Sequence, residues 1–181
     1  SIDRTSDVKI VHNTIRMEGS YTNAKHLFWP LELKMGNGYL VQNNLIQNMA
    51  GDFVVAVLST DVPKFSHNAY YTNGTLFGRY NKQGETKAVE AKDFAEWTAY
   101  TGEEGSINQK ATFLSDETGA LLGGGAFNCG LPYEGITTDI TGAKRDSEHP
   151  TVGAFEFDDD TMLPLEISNA TAVTQSTSAQ V

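Results

Sequence analysis

Four histidines, His12, His26, His67 and His149, are the first candidates for metal or proton chemistry in this chain. A metal centre needs three or four convergent ligands, commonly His with carboxylate or Cys. His12 and His67 open matching His-Asn dipeptides and so can line one face. The equivalent residue between them is Asn43, a poor ligand for a transition metal. Both histidines therefore read as corner residues, and no metal site is expected. Asp158, Asp159 and Asp160, with Asp139 or Glu156 nearby, have the oxygen chemistry that calcium prefers. No D-x-D-x-D-G loop accompanies them, and the run reads as a solvated acidic linker. Glycoside hydrolysis requires two carboxylates at a set spacing across a cleft. Glu32, Asp52 and Asp61 qualify in type alone; Asp52 and Asp61 flank the apolar 53–58 stretch and read as turn residues. The glycine run at 123–125 lacks the Gly-Lys-Ser/Thr of a phosphate loop and reads as a turn.

The elements that would position these groups are set by a degenerate repeat. HNTI at 12–15, NNLI at 43–46 and HNAY at 67–70 each follow a short apolar stretch. Aligning Asn13, Asn44 and Asn68 gives offsets of about 31 and about 24 residues, within the range of stacked repeat folds. In that register Trp29 matches Phe53, Leu31 matches Val55, and Leu33 matches Val57. Val41 matches Phe65, Ile46 matches Tyr70, and the first unit joins at Ile10 and Ile15. Apolar residues fall on apolar residues at period two, the mark of strands. One such unit cannot bury its apolar face, whereas stacked units can. Ile10, Val41 and Phe65 are therefore expected in one interior column of parallel strands. Asn13, Asn44 and Asn68 are expected at left-handed corners, with their amides hydrogen-bonded along the stack as a ladder. The extra residues of the first unit are placed in a polar loop at 19–26.

After residue 71 the repeat fades. Residues 72–91 read as loop with a short strand near 76–80. Residues 93–100 read as a helix with Phe94, Trp97 and Tyr100 on one face, a capping box at Asp93 and Glu96, and a stop at Gly102. Among the aromatic candidates for sugar stacking (Tyr21, Trp29, Tyr39, Tyr70, Tyr71, Tyr80, Trp97), Trp29 reads as core through its match to Phe53. Trp97 reads as the pin of the helix, and Tyr21, on the inserted loop, is the expected glycan contact.

Bulk composition narrows the partners. The 181 residues make one ordinary domain, and no apolar run approaches the length needed to cross a bilayer. A net charge of −10 repels phosphate backbones, so nucleic acid is not an expected partner. Cys129 is the one cysteine, so no intrachain disulfide forms. The start lacks an initiator Met and a signal-peptide pattern, so a piece of a larger chain is expected.

The HNTI and NNLIQN units resemble coils of right-handed parallel β-helix proteins, the pectate-lyase-like superfamily. FSHNAYYTNG, DFAEWTAYTGEEGSI, ATFLSDETG and TTDITGAKRDSEHPTVGAFEF follow in an order that resembles the C-terminal end of secreted β-helix proteins of Bacteroidetes-like bacteria. There a D-x-x-G-x-x-R segment precedes a G-A-x-E close; the matching residues are Asp139, Gly142, Arg145, Gly153, Ala154 and Glu156. Thr151 stands where that family has Asp, so a hydrogen bond there is expected to be weak or missing. The stretch at 163–172 resembles the first strand of a fibronectin-like module of type IX secretion cargo.

The resemblance implies an all-β fold: C-terminal coils of a right-handed parallel β-helix with a short capping helix over residues 1–157. An acidic linker and the first strand of a β-sandwich module would occupy 158–181. The helix and the 136–157 segment would cover the final coils, with Phe94, Trp97, Tyr100, Asp139, Arg145 and Glu156 as cap residues. It further implies a secreted or cell-surface module of a bacterium, a glycan-binding, adhesive or structural stalk segment. Its partners would be a polysaccharide or cell-surface partner, other domains of the same longer chain, and the secretion machinery. No cofactor is expected, calcium being the one candidate. The alternative is the terminal part of a polysaccharide lyase or glycoside hydrolase whose catalytic coils lie upstream. Such lyases use Arg or Lys to take a proton beside a uronate carboxylate, with charge relief at the carbanion. Arg16, Lys34, Lys64 and Arg79 are available, and no motif singles one out.

Overall fold

The computed structural model describes residues 1–19, 29–59, 61–81, 87–115 and 117–158. Tyr21, His26, Asp159, Asp160, the expected insert beyond Gly19 and the whole 159–181 stretch lie outside them.

Alternation at Leu31-Glu32-Leu33-Lys34 shows why short strands form. The two leucines are buried on one side, and the charged residues face the other. The strands run in the order β1 (Ile2–Asp3), β2 (Lys9–Val11), β3 (Thr14–Met17), β4 (Leu31–Lys34), β5 (Leu40–Gln42) and β6 (Leu45–Asn48). They continue with β7 (Val55–Leu58), β8 (Lys64–Ser66), β9 (Ala69–Thr72) and β10 (Gly78–Asn81). Then come β11 (Ala88–Ala91), one α-helix among the described residues, α1 (Phe94–Thr101), and β12 (Ile107–Asn108). Among the described residues the regular structure is mostly sheet, and its strands are mostly parallel.

Every strand but β11 pairs with its counterpart in the next repeat. The orders are β1-β4-β7-β10-β11, β2-β5-β8 and β3-β6-β9-β12, and every pairing is parallel except β10 with β11. Ile10 lies beside Val41 and Val41 beside Phe65. Ile15, Ile46 and Tyr70 form a second row, and Leu31 and Leu33 sit beside Val55 and Val57. These residues share one core. Among the described residues no helix is long and apolar enough to cross a membrane.

Helix α1 starts where Asp93 accepts a hydrogen bond from the Glu96 N–H at 2.9 Å, and stops at Gly102 in the left-handed region. Its Trp97 is fully buried against Phe65, Phe77 and Tyr80. Gly78 lies under that indole; a Cβ there would come within 2.7 Å of the ring.

Four expectations are corrected. First, the left-handed corners fall on His12, Asn43 and His67, the residues read as corners, and not on Asn13, Asn44 and Asn68, which were expected to hold the left-handed backbone. Asn13 and Asn44 instead bridge the turn, donating from Nδ2 to the carbonyls of Val11 and Gln42 two residues back. The turn and its staple thus need separate residues. Second, the 72–91 region holds an antiparallel pair, β10 with β11, not a loop with one strand. Ala88–Ala91 has little strand propensity of its own and is ordered by pairing with β10.

Third, the 136–157 segment does not cover the end of the stack. It belongs to a layer, from Ala111 onward, packed on the outer face of β3-β6-β9-β12. A second core of Leu45, Ala69, Ala111, Leu121, Phe127, Val152 and Phe157 fills that interface. The physical reason is the outward row Leu45–Ala69–Ile107, which is apolar and needs cover. β6 is buried on both faces for the same reason. Fourth, Thr151 does not lose the bond expected to fail. Its hydroxyl donates to Asn128 Oδ1 at 2.7 Å and accepts from the Phe157 N–H at 2.8 Å.

Candidate functional site

The corners between the second and third sheets carry a dense run of polar contacts. Asn44 Oδ1 accepts from Asn13 N at 2.9 Å and Asn13 Nδ2 at 3.0 Å. Asn68 Oδ1 accepts from Asn44 N at 2.9 Å and Asn44 Nδ2 at 3.0 Å. Parallel, in-register pairing stacks the three amides at this corner. In the fourth unit Ser106 takes the place of Asn, its Oγ accepting from Asn68 N at 2.9 Å. Ser106 Oγ donates in turn to Glu103 Oε2 at 2.6 Å, which also receives the Tyr70 hydroxyl at 3.1 Å. Burial raises the Glu103 pKa, and the hydroxyls of Ser106 and Tyr70 pull it back only in part. Burial and the neighbouring carboxylate likewise hold the Tyr70 hydroxyl protonated. Sequence reasoning missed Glu103 and Ser106; the signal was the EGSI run, which continues the repeat with Gly105 in the left-handed corner position.

A second polar knot lies beside the first corner. Asp139 Oδ1 accepts from Thr141 N, Thr141 Oγ1 and Ala143 N, and its Oδ2 from Glu156 N. Burial would raise its pKa, but these hydrogen bonds to the carboxylate outweigh it and the net shift is downward. Arg145 pairs with Glu156 at 3.1 Å, both side chains nearly inaccessible, and donates to the carbonyls of Thr151 and Gly153. The knot docks the outer layer: Gly153 N donates to Asn43 O at 2.8 Å, and Ala154 N to Thr14 Oγ1 at 2.9 Å.

His12 sits between corner and knot. Its Nε2 accepts from Asn43 Nδ2 at 2.9 Å, and Asn43 is itself held by Leu131 through both amide atoms. The imidazole is therefore neutral in the fold. Burial, then the Arg145 charge, lowers its pKa to about 4, against the pull of the Gly153 and Thr151 carbonyls. Burial also lowers the pKa of His67, whose ring lies over Gly105. For a histidine depressed in the fold, stability is intact above the unfolded value near 6.5 and is lost as pH falls toward about 4. The urea midpoint is expected to fall across that window. His12→Asn, which copies Asn43 of the next unit, should flatten the fall; equal slopes in both proteins would refute this role.

The remaining candidates are not brought together. Arg16 is on β3, Lys34 on β4, Lys64 on β8 and Arg79 on β10, across three different sheets. Arg16 lies over the Phe113 ring at 3.9 Å and pairs with Glu18. Glu32 is on β4; Asp52 makes a left-handed turn, and the Asp61 carbonyl accepts from Ser59 Oγ. His149 is exposed, its N–H donating to Asp146. Tyr39 and Tyr70 are core, Trp29 is half-buried against Phe53, and Tyr71 is half-buried near Lys110. Among the described residues no three His, Cys, Asp or Glu side chains converge into a metal-holding group.

No family model, no curated protein and no solved structure matches the chain.

Proposed function

We propose that residues 1–157 are the C-terminal coils of a right-handed parallel β-helix, together with the layer packed on one of its sheets, in a secreted or cell-surface protein. In this reading they act as a rigid stalk segment that presents its side-facing surfaces to a glycan. The observation that carries the reading is the stacked corner: the Asn13–Asn44–Asn68 amides continue into Ser106 at the same register as three parallel sheets. Repeats joined edge to edge transmit position from one coil to the next. The polar groups at the corner and the knot hold backbone in place, a structural use of chemistry. Calcium, the secretion machinery and further domains of a longer chain remain part of this proposal only as partners of the larger protein.

The test is passage of the purified chain over columns of immobilised neutral polysaccharides and polyuronates, alongside a lyase assay on polyuronates with calcium. Retention on a polysaccharide without new unsaturated-product absorbance is the expected result. Flow-through from every column would sink the glycan-presenting role, and product absorbance would favour the lyase reading.

A further inference from the structure

Resting on the glycan-presenting reading, we propose that Tyr80, Tyr100, Glu96 and Ala99 form a docking site for a neutral pyranose glycan. The Tyr80 and Tyr100 rings are stacked, with centroids 3.8 Å apart and planes 22° apart. With Glu96 and Ala99 they line an open depression of about 350 Å³. Glu96, Ala99 and Tyr100 come from one face of α1, at the three- and four-residue spacing that makes helix neighbours. Tyr80 comes from β10, held between β7 and β11.

The chemistry fits a sugar. A pyranose has an apolar C–H face, which rests on the negative face of an aromatic ring. Its hydroxyls seek acceptors at the rim, and the Glu96 carboxylate is there, partly exposed. Pockets that orient small ligands combine apolar walls with a few placed polar groups in this way. The rings are also fixed in advance. Tyr100 OH donates to the Asn81 carbonyl at 3.3 Å, and both rings lean on buried Trp97. Burial and the Tyr80 ring push the Tyr100 hydroxyl up to about 12, so it stays neutral. Glu96 accepts from the Lys92 N–H at 2.8 Å, which fixes the carboxylate. Rigid walls lower the ordering cost of binding.

Charge selects the glycan class. The Glu96 carboxylate is paired with the Lys92 ammonium at 3.6 Å, so the rim offers an anion no unpaired cation, and the net charge of −10 disfavours uronates and sulfated sugars. The occupant is therefore a neutral pyranose chain.

Calorimetric titration of the full chain with cellotetraose, a mannotetraose and a tetragalacturonate tests this. One neutral tetramer should bind, and the uronate should bind at least about tenfold more weakly. Tyr100→Ala should weaken binding about tenfold or more, Tyr100→Phe by less than about threefold. Ala99→Arg, on the exposed floor and away from the core, should abolish binding while leaving the unfolding midpoint unchanged. Tightest binding by the uronate, or unchanged binding in Ala99→Arg, would overturn the site. If Ala99→Arg protein is still retained by a polysaccharide column, the site fails while the glycan-presenting reading stands. Absence of binding by every tetramer, with the wild-type chain retained on a column, also overturns the site alone.

Discussion

Arg145→Met is expected to destabilise the chain by about 3–5 kcal/mol, the range for removing one partner of a buried ion pair. The guanidinium is held at both ends. It meets Glu156 at 3.1 Å and donates to the Thr151 and Gly153 carbonyls at 3.0 and 2.9 Å. Methionine fills a similar volume but leaves the Glu156 carboxylate, itself nearly inaccessible, without its cation. That carboxylate keeps only the backbone donors Asp146 N and Thr151 N. Arg145→Lys should rescue little, because an ammonium cannot reach two carbonyls and a carboxylate in the same fork. Changing both partners, Arg145→Met with Glu156→Met, should recover a large part of the loss, since the orphaned charge goes with its partner. Urea unfolding of the four proteins reads this directly. A single variant costing less than about 1 kcal/mol would place the pair among solvent-screened bridges instead. A second readout separates electrostatics from packing. Arg145 is one reason His12 resists protonation, so Arg145→Met should raise the His12 pKa, as followed by imidazole proton shifts.

The contrast between these two regions shows what was legible in the sequence. Val41 beside Phe65 and Ile46 beside Tyr70 were readable because a period-two apolar pattern, repeated at a fixed offset, leaves only one register that buries every apolar face. The helix was readable from Asp93, Glu96 and Gly102, whose side chains and backbone freedom act locally. The outer layer was not. Its packing depends on Leu45 and Ala69, which look outward in a single unit and become core only when the layer from Ala111 onward folds over them. The corner geometry was misplaced by one residue because Asn satisfies both roles in propensity tables. His12 and His67 carry the positive φ, which His tolerates better than most residues, because the following Asn is needed for the staple. Of the candidate site, Tyr80 was named from sequence alone, but its partner Tyr100 was read as cap. Only the fold, by setting α1 beside β10, stacks the two rings.

Asn44→Ala is the second large effect expected, about 3 kcal/mol or more, several times the cost of Asn13→Ala. The difference follows from where each rung sits. Asn44 is fully buried, whereas Asn13 is exposed. Asn44 Nδ2 donates to Ile10 O at 2.7 Å and Gln42 O at 3.0 Å, and its Oδ1 satisfies the Asn13 N–H. Alanine removes all of these at once and leaves the Ile10 carbonyl and Asn68 Oδ1 short of a donor inside the stack. Each buried polar group so orphaned costs about 1–3 kcal/mol, while water can replace the partners of an exposed one. Asn44→Asp should be worse still at neutral pH, because it turns the donor toward Ile10 O into a second acceptor and buries a charge. Native-state hydrogen exchange locates the damage. The Asn13 and Leu45 amides, which bond along this corner, should lose protection first, and those of α1 last. Equal losses for Asn13→Ala and Asn44→Ala would mean that the amides follow the stack without bracing it. The rigidity that the stalk reading requires would then have to come from the apolar rows alone.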